Sequence, residues 1–476
     1  MKLSALLKGV KTLNAFEERE VERVTDKDYE NLNNSLFVCI NGKSVDGHAL
    51  AKKAVENGAA AILTDRDLQI SRQIIVEDTR KAFALIAANF YGNPAKKLKI
   101  IGITGTNGKT STSIYIKDIL KNLGVSCGVI GTVKNSWEEF SEESVLTTPE
   151  PMQLHKIFYD MVEAGCEYCV MEVSSQALAQ HRVHGIHFIA SAVTNITPEH
   201  LDYHKNMENY IGSKLMLSTM SDCICVNIDD ENITQSMGKI ECPLTTYSAL
   251  SDNADYTAKN VVCNESGVKY ELVGIDCISR IKTKNLGIFT VYNTLCAASV
   301  LLKIGFSIDE IAEAIQKLST VSGRAEIVDI DAPFTVMIDY AHTPDGLYNI
   351  LCSLREITKG RIITVFGCGG DRDKSKRCKM GSIAGQYSDI AVVTSDNPRT
   401  ENPLLIINDI LCGMEKSKSK IAVIENRRQA IEFALKKARK GDVVLLAGKG
   451  HETYQIIGNS KIHFDEREVV REYFKS

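Results

Sequence analysis

Apolar residues follow two rhythms along this chain. Short continuous runs, the length of buried strands, alternate with longer stretches in which apolar positions recur at helical spacing. Runs at 35–40, 60–63, 100–103, 169–173 and 190–195 predict strands in the first part of the chain. Runs at 335–338, 362–366, 390–394, 421–424 and 443–446 predict them in the last part. Helical patterns lie between them: a segment carrying Ala51, Ala54 and Val55, then 78–91, 290–302, 308–318 and 428–439. Residues 222–285 read as short strands and turns. This alternation is that of α/β architecture with parallel sheets. Gly92-Asn93-Pro94 and Val321-Ser322-Gly323 punctuate it. Three domains are expected: a small N-terminal α/β domain (1–97), a central P-loop ATPase domain with a parallel sheet (98–321), and a C-terminal Rossmann-like, doubly wound domain (322–476).

The most informative stretch opens the second domain. The run Ile100-Ile101-Gly102-Ile103 leads into Thr104-Gly105-Thr106-Asn107-Gly108-Lys109-Thr110-Ser111. A helical pattern follows, with Ile116, Ile119, Leu120 and Leu123 on one face and Gly124 as its stop. Strand, glycine-rich turn and helix form the context of a phosphate-binding loop, where backbone N–H groups and the helix N-terminus face an anion. Lys109 is placed to reach the terminal phosphates, and the Thr110 hydroxyl to hold Mg²⁺. The strict pattern places a first glycine where Ile103 stands, so the loop is a variant.

Composition narrows the class. A chain of 476 residues with 44% hydrophobic and 24% charged residues is an ordinary globular one, and a net charge of −4 favours neither nucleic acid nor an anionic membrane as partner. No apolar run reaches membrane-spanning length, and the Met1-Lys2-Leu3-Ser4 start is not a signal peptide, so a cytoplasmic protein is expected. The 14 cysteines are scattered through apolar segments, as in a reducing compartment. Cys166-Glu167-Tyr168-Cys169 has no second pair to complete a zinc set and reads as core.

Parallel sheets bind ligands at the carboxyl ends of their strands. In the last domain those ends carry Asp339-Tyr340-Ala341-His342-Thr343-Pro344-Asp345, Gly369-Gly370-Asp371-Arg372-Asp373, Asp396-Asn397-Pro398-Arg399 and Gly448-Lys449-Gly450-His451-Glu452. In the middle domain Glu172 ends a strand and is a candidate Mg²⁺ ligand. His200 follows another strand end, and Arg182 is a candidate for an anionic substrate group.

These motifs, with Thr147-Thr148-Pro149-Glu150, Asn293 and Gly323-Arg324, resemble in kind and order those of the Mur ligases of peptidoglycan synthesis. Those enzymes use ATP to join an amino acid to a UDP-sugar peptide. Asp396-Asn397-Pro398-Arg399 resembles the motif of the form that adds meso-diaminopimelate to UDP-N-acetylmuramoyl-L-alanyl-D-glutamate. The resemblance implies an acyl-phosphate mechanism, ATP and Mg²⁺ as cofactors, these small molecules as the only partners, and a monomer. It implies that Thr104, Gly105, Thr106, Asn107, Gly108, Lys109, Thr110, Asn293, Arg324 and Asp339 hold ATP. Thr110, Glu172, His200 and Lys214, the last as a carbamate, would hold Mg²⁺, with Lys109, Lys214 and His200 catalytic. Thr147, Thr148, Ser174, Gln180 and Arg182 would hold the UDP-sugar peptide. Arg372, Asp396, Asn397, Pro398, Arg399, Gly448 and Glu452 would hold the amino acid.

One motif departs from the family. Asp-Ser-Arg is expected before the 35–40 strand, and the chain reads Thr25-Asp26-Lys27-Asp28. The loop 43–47 still fits a uridine contact. Alternatives are the lysine-adding form, another ligase of the Mur or folylpolyglutamate type, and a regulatory P-loop NTPase whose last domain binds a partner.

Overall fold

The structure is a computed structural model describing residues 1–28, 31–42 and 45–475. Lys43 and Ser44 of the expected uridine loop lie outside the described residues. The first sheet is parallel, in the order β1 (Arg23–Thr25), β2 (Ser35–Val38), β3 (Ala61–Thr64), β4 (Gln73–Ile75). β2 and β3 are buried at every position, as continuous apolar runs require of strands covered on both faces. The Thr79–Phe90 helix covers one face with Phe83 and Ile86. Asp78 caps it, accepting from the backbone N–H groups of Arg80 and Lys81.

The second sheet contains β5 (Lys99–Thr104), β6 (Cys127–Ile130), β7 (Lys134–Trp137), β8 (Phe140–Glu143), β9 (Tyr168–Glu172), β10 (Ala190–Val193), β11 (Ile224–Asn227), β12 (Leu244–Ser248), β13 (Tyr256–Asn264), β14 (Gly267–Val273) and β15 (Ile278–Thr283). Their order is β15-β14-β13-β12-β11-β10-β5-β9-β6-β7-β8. The expected parallel sheet forms the middle of a mixed one. β14 and β15 are antiparallel at one end, β7 and β8 at the other. Residues 222–285 were expected as short strands, yet β13 runs for 9 residues and β14 for 7. Polar residues alternate through β13, because one face packs on the Ile288–Lys303 helix while the other meets solvent. Cys169 lies within β9 and Cys166 just before it, both free and buried in an apolar cluster.

The third sheet contains β16 (Glu326–Ile327), β17 (Thr335–Asp339), β18 (Ile362–Phe366), β19 (Ile390–Val393), β20 (Lys420–Val423) and β21 (Val443–Ala447), in the order β16-β17-β21-β18-β19-β20. Only β16 is antiparallel. Alternate strand residues face opposite layers. Met337, Phe366 and Leu445 pack with the Pro344–Ile357 and Ser375–Tyr387 helices, and Val336, Val365 and Val444 with the Arg427–Lys437 and Glu466–Lys475 helices. A hairpin of β22 (Tyr454–Ile457) and β23 (Ser460–His463) follows β21. Among the described residues no helix is long and apolar enough to cross a membrane.

The third sheet encloses a buried ion pair. Arg427 Nε donates to Glu466 Oε1 at 2.8 Å, and Nη2 donates to the Ala447 carbonyl at 2.8 Å. The side chains are 0% and 1% exposed. Removing the cation alone leaves a carboxylate in an apolar layer. Arg427→Met is therefore expected to cost about 3–5 kcal/mol of C-terminal-domain stability. Denaturant unfolding measures it, and adding Glu466→Leu is expected to restore most of the loss.

Candidate active site

β5 lies between β10 and β9, so the turn that follows it emerges where the chain ends of three strands meet. The turn is stitched to the segment after β10. Thr106 N–H donates to Asn195 O at 2.8 Å, Asn107 N–H to Asn195 Oδ1 at 2.9 Å, and Thr194 Oγ1 to Asn107 O at 2.5 Å. Gly108 has φ +84°, and a Cβ there would lie 2.5 Å from Asn293 Oδ1. A side chain would fill the cradle, which explains glycine at this turn. Gly105 is closed in the same way by Thr194. Thr104 is fully buried beneath the turn.

Two lysines converge on one carbonyl. Lys109 Nζ donates to Gly105 O and Thr106 O, both at 2.8 Å, and Lys214 Nζ donates to Gly105 O at 2.7 Å. Lys214 is 2% exposed and lies over the Tyr210 ring at 4.5 Å. Burial, with Lys109 nearby, pushes the Lys214 amine well below the ordinary lysine range. Lys109 is lowered too, by burial. Glu199 faces this pair, with His342 Nε2 at 3.7 Å and His200 Nε2 at 3.8 Å. Burial alone would raise the Glu199 carboxyl; the His342 ring and the charges of His200 and Lys109 outweigh it and hold the carboxyl well below the usual range. Glu172 is buried at the end of β9, its carboxylate accepting from Thr132 N–H and Oγ1, both at 2.8 Å.

The carboxyl ends of the third sheet close over the turn from the other side. Asn107 Nδ2 donates to Asp345 Oδ2 at 2.7 Å, and Arg324 Nη2 to Thr110 Oγ1 at 3.2 Å. Asp339 Oδ2 accepts from Ala325 N–H at 2.7 Å, and burial raises its carboxyl against the pull of Arg324. One cavity at this joint is lined by Asn107, Gly108, Asn293, Arg324 and Asp339 together with Phe289 and Tyr292. A second cleft runs on from Lys109, Thr110, Glu172 and His200 to Arg372, Asp396, Asn397, Arg399, Gly448 and Glu452. His200 and Arg399 have φ of +55° and +52°, left-handed backbone that non-glycine residues adopt when their surroundings fix them. Pro398 presents its carbonyl against Gly370.

A third cleft opens from Lys109 toward the first domain, past Thr147, Thr148, Ser174, Gln180 and Arg182. Thr148 Oγ1 donates to Glu172 O at 2.8 Å and accepts from Ser174 N–H at 3.0 Å. Arg182 pairs with Glu150 at 2.9 Å and donates to Thr148 O and Gln180 Oε1. At the far end a small cavity is lined by Asp26, Arg80, Glu150 and Arg182, so a cation from the Thr79–Phe90 helix stands near the departed Asp-Ser-Arg position.

Residues 103–301 match the family description Mur ligase middle domain, residues 323–450 match Mur ligase, glutamate ligase domain, and residues 32–91 match Mur ligase family, catalytic domain. The chain belongs to the Mur ligase family. A relative from Clostridium botulinum, a UDP-N-acetylmuramoyl-L-alanyl-D-glutamate--2,6-diaminopimelate ligase, is 43% identical over 484 residues, 100% of each chain. One of the same name from Caldanaerobacter subterraneus subsp. tengcongensis is 44% identical over 477 residues, 99% of this chain and 98% of its own. A solved structure of a ligase of that name is 30% identical with a TM-score of 0.68, covering 93% of this chain and 92% of the other. The fold is shared with the MurF ligase from Thermotoga maritima in complex with ADP, at 20% identity and TM-score 0.65 over 96% and 97% of the two chains.

Several side chains of this Mur ligase site went unassigned from the sequence. Glu199 sits beside His200 in Pro198-Glu199-His200, and the acid next to the candidate ligand was the available sign. His342 lies in the Asp339–Asp345 motif, and only the fold brings it to Glu199. Tyr340 stacks under Arg324 at 4.6 Å and beside His451 at 5.0 Å. Lys449, inside the last motif, is fully buried. Lys109→Ala removes a preorganised cation from the turn and is expected to lower turnover by ~10²-fold or more. Steady-state kinetics on the folded variant checks this, and near wild-type turnover would remove Lys109 from the chemistry.

Proposed function

We propose that this Mur ligase joins meso-diaminopimelate to the D-glutamate carboxylate of UDP-N-acetylmuramoyl-L-alanyl-D-glutamate, consuming ATP and releasing ADP and phosphate. The observation that carries the reading is the single cleft shared by Lys109 and Thr110 of the phosphate-type turn and by Arg372, Asn397, Arg399 and Glu452 of the third sheet. In this reading a nucleotide site and a site for a zwitterionic amino acid adjoin along that cleft. A carboxylate is inert to amines at neutral pH. Transfer of the terminal phosphoryl group gives an acyl phosphate, the amine adds to its carbonyl, and the tetrahedral adduct loses phosphate as the amide forms. The protein's share is charge neutralisation and alignment.

In this reading residues 104–110, Asn293, Arg324 and Asp339 hold ATP. Thr147, Thr148, Ser174, Gln180 and Arg182 hold the UDP-sugar peptide. The glycine cradle and the N-terminus of the Lys109–Asn122 helix suit a phosphate. Oxygen donors at Thr110 and Glu172, with His200 and a Lys214 carbamate, suit Mg²⁺. Bound there, the ion would neutralise phosphate charge. Carbon dioxide adds to a neutral amine, which loses a proton to become the carbamate, and the lowered Lys214 amine favours the neutral form. Work in the cytoplasm as a monomer completes the proposal.

Phosphate release on the UDP-muramoyl dipeptide, across a panel of amino acids, tests the reaction. Turnover only with diaminopimelate is expected. Preference for lysine would favour the lysine-adding form, and nucleotide hydrolysis indifferent to the acceptor would favour a regulatory NTPase. Lys214→Ala is expected to be nearly inactive and partly restored by short-chain carboxylates, and intact-mass or ¹³C-bicarbonate NMR is expected to detect the carbamate in the wild type.

The distal carboxylate of diaminopimelate asks for a cation, and the planar fork of Arg399 suits it. Arg399 Nη1 donates to Gly370 O at 2.9 Å, which aims the group along the cleft wall. Arg399→Ala is expected to erase most of the preference for diaminopimelate over lysine, a preference of up to ~10⁴-fold in the wild type. The ratio of kcat/KM for the two amino acids measures it, and an unchanged ratio would refute this role.

A further inference from the structure

Lys449 has no access to solvent, yet it belongs to a row of charges that ends in the cleft. The row runs Glu466, Arg427, Asp396, Lys449, Glu452. Arg427 lies 2.8 Å from Glu466 and 3.9 Å from Asp396; Lys449 lies 4.0 Å from Asp396 and 3.2 Å from Glu452. Only Asp396 and Glu452 reach the cleft wall. Buried ion pairs contribute little net stability compared with well-packed apolar residues, so stability does not account for a lysine here. Geometry does. Glu452 Oε2 accepts from Lys449 Nζ at 3.2 Å and from Asn397 Nδ2 at 2.8 Å. Lys449 Nζ also donates to Asn397 Oδ1 at 3.2 Å, which fixes the amide that makes the second bond. Both donors engage one carboxylate oxygen. The other, Oε1, accepts no hydrogen bond from the described residues. Three acids against two bases leave one unit of negative charge in the row, and its open end is Glu452.

We propose that Lys449 is a positioning residue for amino-acid selection: it holds Glu452 from behind so that Oε1 faces the cleft and receives an ammonium group of the incoming diamino acid. The proposal rests on the ligase reading above. Lys449 never touches the amino acid, since its ammonium is enclosed by Asn397, Asp396 and Glu452. The excess negative charge suits an ammonium at this end of the cleft, while Arg372 and Arg399 supply positive charge for a carboxylate beside it. The recognised feature is thus the adjacent ammonium and carboxylate of an amino-acid terminus, read by opposite charges on three strand ends.

The test is kinetic, on the full-length enzyme. Lys449→Met keeps the unbranched length and removes the charge. Its KM for diaminopimelate is expected to rise about 10- to 100-fold, the scale of a lost charge-assisted hydrogen bond. The KM values for ATP and for the UDP-muramoyl dipeptide, and kcat at saturation, are expected to stay within about threefold. The same substitution in a Glu452→Gln background is expected to add almost nothing, because a residue acting through Glu452 has nothing left to position. That pair also removes the acid together with its base, so it remains informative if Lys449→Met alone does not fold. An unchanged KM for diaminopimelate, an equal loss in all three KM values, or a further tenfold loss in the Glu452→Gln background would each overturn the proposal. Absence of diaminopimelate-dependent turnover in the wild type would instead overturn the ligase reading.

Discussion

The constraint on which the rest of the structure depends is that the parallel strands of two sheets present their carboxyl ends to each other. A parallel sheet gathers the loops after its strands on one edge. When two such edges face, groups far apart in sequence meet across a gap that neither domain encloses alone. Polar contacts across that gap include Asn107 with Asp345, Arg324 with Thr110, and Glu199 with His342. Each joins the phosphate-type turn or its neighbour to the third sheet. The residues of the phosphate-type turn and those of the third sheet's strand ends thereby line one cleft.

Buried charge is the second theme. Lys109 and Lys214 share the Gly105 carbonyl; burial lowers both amines, and the Glu199 carboxylate opposes that lowering. In the third domain Arg427 and Lys449 are interleaved with three acids. Low dielectric strengthens each of these interactions and raises the cost of leaving any one unpaired. Such clusters keep side chains in single orientations, which ligand recognition requires, and they gather at the edges where the sheets meet.

The apolar runs made β17, β18, β19 and β21 legible, because strands buried on both faces are apolar throughout; β20 was legible too although it is largely exposed, and the two-residue β16 was not expected. The same rule made β13 to β15 hard to read. Their outward faces carry Lys, Glu and Asn, which breaks up the continuous apolar runs, and the one-sided burial shows only in the alternation of Tyr270 and Leu272 with Lys269 and Glu271. At the site, glycines and the Gly108-Lys109-Thr110 order announced the turn, and the strand-end motifs announced the opposing wall. Arg427 carried no such sign, and Glu199 and Lys449 were marked only by their neighbours, His200 and the 448–452 motif. A charged residue in a sequence reads as a surface residue, and only the surrounding fold reveals the partners that let it lie inside.

The backbone around Arg399 carries one more consequence. Arg399 N–H donates to Ile456 O at 3.1 Å, and Gly458 N–H donates to Arg399 O at 2.8 Å. The residue that follows β19 is thus clasped by the hairpin that follows β21, and its left-handed φ is imposed from there. For evolution this separates the frame from what it presents: the hairpin fixes the backbone of the turn and leaves the side chain free to vary. Main-chain bonds do not depend on which side chain stands at 399, so the side chain there can be exchanged while the 454–458 hairpin keeps its hold on the turn.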